Sequence, residues 1–214
     1  MAGKRKQSLW GGAITTEIPE GLLDASDFRQ VPDTQEVFVP GAEADDTSLT
    51  GVRVNDSIIF DLMERIDQED SEAIKEHLAE ISNLNGTKDW ELFEITKCSN
   101  KLGVKAYICV ALEPALKWGR KEHNNQHVNK AEYKPALALV LGVVRLEKVS
   151  TDLLVTYNAH FGDVDELEQL EQLHHVQDEQ HMAQNVAYKR ITFASGVVES
   201  IIKELQVEDW KLFG

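Results

Sequence analysis

Apolar and polar positions alternate along much of the chain, and three stretches keep a helical period instead. Residues 9–18, LWGGAITTEI, read as a strand with a glycine pair near its start. Residues 21–28, GLLDASDF, suit a short helical turn in which Asp24 and Ser26 act as local caps. A strand follows at 35–39, where Val37, Phe38 and Val39 run together, and residues 40–51 form a polar loop by composition. In residues 57–66, SIIFDLMERI, the side chains Ile58, Ile59, Leu62, Met63 and Ile66 fall on one helical face, with Asn55 or Asp56 as cap. The same period recurs at 71–81 through Ile74, Leu78 and Ile81, and Gly86 suits the stop of that helix.

Strands then dominate. Residues 90–97 and 104–112 flank the short hairpin loop CSNKLG. Residues 136–146, ALALVLGVVRL, are apolar almost throughout, which predicts a central strand covered on both faces. The next run, 152–158, follows so closely that it must be an antiparallel neighbour, because a parallel crossover needs about a dozen residues or more. A last helix over 190–207 carries Phe193, Ala194, Val197, Val198, Ile201, Ile202 and Leu205 and is wide enough to cover a sheet face. Ser195 reads as a residue at the start of that helix. This order predicts an α+β fold with a mainly antiparallel sheet and helices on both sides. The chain divides into a flexible tail over 1–8 and one domain over 9–214. That domain carries a locally basic polar insertion at 117–134 and an acidic one at 162–185. In the second, Leu167, Leu170, Leu173 and Val176 step by three, which fits a helix or a loosely ordered excursion.

A net charge of −15 argues against direct nucleic-acid binding, which needs Lys and Arg to displace counterions, and favours a basic partner. No apolar run reaches membrane-spanning length, and MAGKRKQSLWGG shows neither a secretory nor an organelle-targeting pattern. Cys98 and Cys109 fit buried thiols in a reducing compartment. The sequence contains no GxxxxGK[ST], no GxGxxG after a strand and no GxSxG, so nucleotide hydrolysis, a dinucleotide cofactor and a serine nucleophile all lack support. His123 and His127 are four apart, but NNQ between them favours loop. His174, His175 and His181 lie near Asp178 and Glu179 without a nearby cysteine, so solvated histidines are expected and no metal or other cofactor is assigned.

One acidic cluster stands out. In VPDTQEVFV, residues 31–39, Asp33, Thr34, Gln35 and Glu36 crowd the start of a strand that needs no two carboxylates for its own sake. Asp33 after Pro32 also suits a turn, and Glu36 also suits an edge-strand charge that discourages aggregation. The wider stretch decides. Residues 9–39, LWGGAITTEIPEGLLDASDFRQVPDTQEVFV, closely resemble the N-terminal signature of the Mog-type Ran guanine nucleotide release factors. The pattern is carried by Gly11, Gly12, Ala13, Pro19, Gly21, Asp24, Ser26, Arg29, Val31, Pro32, Asp33, Gln35, Glu36 and Val37. NLNGTKDWE (83–91), KWG (117–119) and TDLLVTYN (151–158) are similar in kind and order, while the two insertions depart from the family pattern in length.

The resemblance implies the Mog/PsbP-like α/β/α sandwich, in agreement with the pattern above. It implies binding of the small GTPase Ran and release of its nucleotide in support of nuclear protein import, without catalysis by the chain itself. The Ran-contacting acidic pair falls on Asp33 and Glu36, with Gln35, Thr34, Arg29 and Asp24 as further candidates, Arg29 either touching Ran or positioning the loop. The expected partner is Ran, with room for a further Ran-binding protein, no direct nucleic acid and no membrane. The expected location is nucleus and cytoplasm, to which the short basic cluster at 3–7 adds little. Two readings compete. A PsbP-like or adaptor-type interaction protein would share the fold and lack release activity, and an enzyme would need a pocket with perturbed titratable groups.

Overall fold

The computed structural model describes residues 3–41, 51–114, 135–175 and 179–214. Its centre is the pair β8 (Leu137–Leu146) and β9 (Thr151–His160), antiparallel and joined by a 3-10 turn over Glu147–Val149. All ten residues of β8 are buried, because the pleat sends alternate side chains to two covered faces. Ala138, Val140 and Val144 face one core with Leu153, Val155 and Tyr157 of β9 and the helix α4 (Val186–Glu204). Leu139, Leu141 and Val143 face the other, with Ile74 and Leu78 of α1 (Asp70–Leu84). The three-layer α/β/α arrangement follows from that double covering. Gly142 lets α4 come close: a Cβ there would sit 2.5 Å from Ile202 Cδ1 and 2.8 Å from Val198 Cγ1.

Around this pair the large sheet adds β3 (Leu22–Asp24), β4 (Gln35–Pro40), β5 (Ser57–Glu64), β6 (Glu91–Lys97) and β7 (Ala106–Glu113). The order across it is β3-β4-β5-β9-β8-β7-β6, antiparallel throughout. A small sheet, β1 (Lys4–Leu9), β2 (Ile14–Pro19) and β10 (Gln206–Val207), is ordered β1-β2-β10 and adds Leu9, Ile14 and Ile18 to the α4-side core.

Several expectations are corrected. The stretch 57–66 is not a helix: Ser57–Glu64 form β5. Ile58 and Phe60 are fully buried on alternate positions, and pairing to β4 and β9 on both sides outweighs the helical spacing. Residues 4–8 are not a tail: β1 pairs with β2 along its whole length, and Arg5 donates to the Leu22 carbonyl at 3.0 Å. The strand expected over 9–18 is broken by a 3-10 turn at Trp10–Gly12. Residues 22–24 are a strand before the short helical turn at Ala25–Asp27. The last helix starts at Val186, so Ser195 lies in its interior. In the 162–185 stretch, α2 (Val164–Glu171) is followed by a 3-10 turn at Gln172–His175 and by α3 (Glu179–Gln184). Leu170 and Leu173 are buried in the α4-side core. Val176, Asp178 and the 117–134 stretch with His123 and His127 lie outside the described residues, as do the side chains of His174, His175, Glu179 and His181.

Two polar networks pin the layers together. Asp56, expected as a helix cap, is instead buried and accepts hydrogen bonds from the Arg53 amide (2.9 Å), the Tyr157 hydroxyl (2.8 Å), the His160 amide (3.2 Å) and the Arg190 guanidinium. It therefore ties β5, β9 and α4 at one end of the sheet. Arg53 forms two 2.8 Å bonds to Glu166 of α2 beside it. At the other end Arg145 joins β8 to the segment entering α1.

Both cysteines are buried, and burial pushes the Cys109 thiol up to about 12. Glu113, at the end of β7, is also fully buried. Asn85 donates to its Oε1 at 3.1 Å, and no group among the described residues bonds Oε2. Burial pushes this carboxyl up to about 7. The folded state therefore holds a proton that the unfolded chain has released from about pH 4.5 upward, so stability falls as pH rises through that window to about 7. The full penalty, at most about 3 kcal/mol, is present only above it. Glu113→Gln keeps an acceptor for Asn85 and removes the charge. It is expected to raise the urea midpoint at pH 8 and to leave it close to wild type at pH 4.5; equal gains at both pH values would contradict this account.

Candidate functional site

The acidic stretch is a tight turn at the start of β4, with the Gln35 amide donating to the Pro32 carbonyl at 2.9 Å. β4 lies between β3 and β5, so the turn is mounted on paired backbone. Along β4, Glu36 shares its face with Phe38, which packs edge-on against Phe60 at 5.8 Å. Glu36 is thus half-buried, whereas Asp33 and Thr34 are exposed.

Each flank of the turn is fastened to a different element. On one side is Trp10, in the 3-10 turn that follows β1. Its main-chain N–H donates to Glu36 Oε1 at 2.5 Å, and its indole Nε1–H donates to the Asp33 carbonyl at 3.2 Å. On the other side is Asp61 of β5. Gln35 Nε2 donates to Asp61 Oδ2 at 2.6 Å, and the Leu62 amide donates to the Thr34 carbonyl at 3.0 Å. Burial raises the pKa of Glu36; the Trp10 amide works against that rise and the Asp24 charge adds to it. Burial likewise raises Asp61, opposed by the Gln35 bond and the Thr34 side chain.

The structure brings Asp24, Asp33 and Glu36 to one region: Asp24 pairs with Phe38 across β3 and β4 and lies close enough to act on the Glu36 charge. The Asp24 carboxylate itself accepts from the Ser26 amide at 2.8 Å, capping the turn at Ala25–Asp27. Arg29 is on the exposed stretch that follows, its amide donating to the Ala25 carbonyl at 3.0 Å. Gln35 is turned inward to Asp61, so of the six candidates it is the one most occupied within the fold. Sequence reasoning missed Trp10 and Asp61, whose link to the turn is made only by folding. It also missed Phe28 and Leu23, apolar side chains 59% and 46% exposed on the segment leading to the turn. The available signal was the glycine pair after Trp10, which permits the left-handed turn that places the ring. No group of three or more His, Cys, Asp or Glu suited to a metal occurs among the described residues, and no described helix is long and apolar enough to cross a membrane.

The loop is fixed at both flanks and carries one exposed and one half-buried carboxylate, chemistry that can pair with cationic groups. Comparison with known proteins bears on the whole chain. The family model described as Ran-interacting Mog1 protein matches residues 7–160. The nuclear import protein MOG1 of Saccharomyces cerevisiae is 37% identical over 159 residues, a match spanning 72% of this chain and 65% of the yeast protein, just under two thirds of its length. A Dictyostelium discoideum protein named probable ran guanine nucleotide release factor is 28% identical over 162 residues, 72% of each chain. The 1.9 Å crystal structure of the S. cerevisiae Ran-binding protein Mog1p superposes with a TM-score of 0.74 at 26% identity, covering both chains in full. With the family model matching well over half its length, the chain belongs to the Ran-interacting Mog1 family.

Proposed function

We propose that this chain binds the GTPase Ran and promotes release of its guanine nucleotide, in support of nuclear protein import. One observation carries the reading: the 33–36 turn is clamped on both flanks, by Trp10 and by Asp61, so that Asp33 and Glu36 are presented as a preformed pair of carboxylates. The reading is supported by family membership and by the names of the relatives. The chain acts without covalent chemistry of its own, and Ran is the partner, alone or with a further Ran-binding protein. A net charge of −15 disfavours nucleic acid. A location in both nucleus and cytoplasm fits this reading, supported by relatives named nuclear import proteins.

The mechanism is a thermodynamic preference. A GTPase holds its nucleotide through a phosphate-cradling lysine and Mg²⁺. A release factor must bind the nucleotide-free form better, by about 1.4 kcal/mol for each tenfold loss of nucleotide affinity. Asp33 and Glu36 supply this by pairing with basic groups of Ran that the nucleotide otherwise engages. In this account Gln35 holds the loop through Asp61 and Thr34 through the Leu62 amide, and Asp24 and Arg29 lie at its margin.

The test is release of a fluorescent GTP analogue from Ran with and without this chain, alongside a direct binding titration. Faster release that saturates with this chain is the expected result. Binding with unchanged release would make it an adaptor, and absence of binding would reduce the family likeness to shared fold.

A further inference from the structure

We infer that Trp10 is a positioning residue for this site: its main-chain and indole N–H groups hold both ends of the 33–36 turn in the shape that meets Ran, an inference that rests on the function proposed above. Trp10 has φ 46°, a left-handed conformation that a bulky residue seldom adopts, and Gly11 and Gly12 follow at φ 65° and 96°. Joining β1 to β2 does not require a tryptophan in that conformation. What the turn achieves is placement of two donors on one loop far along the chain. The main-chain donor meets the Glu36 carboxylate, and the indole donor meets the Asp33 carbonyl. Asp61 holds the opposite flank through Gln35. A loop released on the Trp10 side would populate the docking shape for only a fraction of the time, and apparent affinity falls by that fraction while the bound complex is unchanged.

The experiment is a titration of nucleotide release from Ran by wild type, Trp10→Phe and Gly11→Ala, with thermal midpoints measured on each. Phenylalanine keeps an aromatic ring and lacks the N–H. Alanine at 11 meets no atom within 4 Å, so it disturbs only the left-handed turn. Both variants are expected to need about threefold to tenfold more protein for half-maximal release. Their maximal release rates should stay within about twofold of wild type. A merely structural role would move the thermal midpoint and leave half-saturation of the folded fraction alone, and that result would overturn the inference. So would a folded Trp10→Phe with wild-type half-saturation; if that variant does not fold, Gly11→Ala decides by the same criterion. A wild type that does not accelerate release strikes the functional reading itself and takes the inference with it, whereas an active wild type with indifferent variants removes the inference alone.

Discussion

Replacing Arg145 with alanine is expected to lower unfolding stability by about 3–5 kcal/mol, the cost typical of leaving a buried charge without its partner. Arg145 is 1% exposed and every branch of its guanidinium is engaged. Nε donates to Asp152 Oδ1 at 3.3 Å, Nη1 to Asp70 Oδ1 at 2.6 Å and to the Gln68 carbonyl at 3.1 Å, and Nη2 to the Ile66 carbonyl. Asp152, fully buried on β9 opposite Arg145, also accepts from the Ile66 amide at 3.2 Å and bonds His77 Nε2 at 2.9 Å. Burial alone would raise the Asp152 pKa, yet the His77 bond, the Ile66 amide and the Arg145 charge together hold it below the ordinary carboxylate range. That depressed pKa contributes stability above the unfolded value near 3.8, and the contribution is lost as pH falls through the folded value. Alanine removes the cation, strips the Gln68 carbonyl of its guanidinium donor, leaves the Ile66 carbonyl with the Gln68 amide alone, and leaves the Asp152 charge facing a cavity. Urea unfolding at pH 7 checks the magnitude. Arg145→Met combined with Asp152→Asn, which removes both charges, should recover part of the loss. A single-variant cost under about 1 kcal/mol would mean water replaces the guanidinium at little cost, as at an exposed pair.

The same network shows which parts of the fold were open to sequence reading. β8 and β9 were legible because an apolar run with a short link admits few structures, and α1 because Ile74, Leu78 and Ile81 keep a period that no strand would share. β5 was not. Ile58, Ile59, Leu62 and Met63 satisfy helical spacing as well as a strand buried on both faces, and only pairing with β4 and β9, distant in sequence, selects the strand. β1 was invisible for a related reason: KRKQSL has an edge strand's basic character and gains its order from β2. At the candidate site, Asp33 and Glu36 were singled out as Ran-facing only through the family likeness, since their local setting suits a plain turn equally well. The inward rotation of Gln35 toward Asp61 and the donors on Trp10 come from contacts spanning 23 to 26 residues, which no local pattern encodes.

Glu36→Lys is expected to abolish nucleotide release from Ran, with a loss of at least about 30-fold at matched concentration, the scale of truncating one member of a desolvated interfacial charge pair. Reversal goes beyond truncation, because a basic group of Ran that met a carboxylate would meet an ammonium. The substitution should nonetheless leave the chain folded. Glu36 is half-buried, its pKa is already raised by burial and by Asp24, and a lysine can swing its charge into solvent near Asp24. The hydrogen bond from the Trp10 amide is lost with the carboxylate, so a second variant separates loop order from charge. Glu36→Gln keeps an oxygen that the Trp10 amide can use and carries no charge. It should fall between wild type and lysine, and its deficit should shrink as salt screens the wild-type attraction. Asp33→Ala, at the exposed end of the turn, should cost less and depend more on salt. Equal losses for glutamine and lysine would assign the effect to the hydrogen bond and the loop. Release by the lysine variant within about threefold of wild type, with binding intact, would remove the carboxylate from the contact surface and return it to an edge-strand charge.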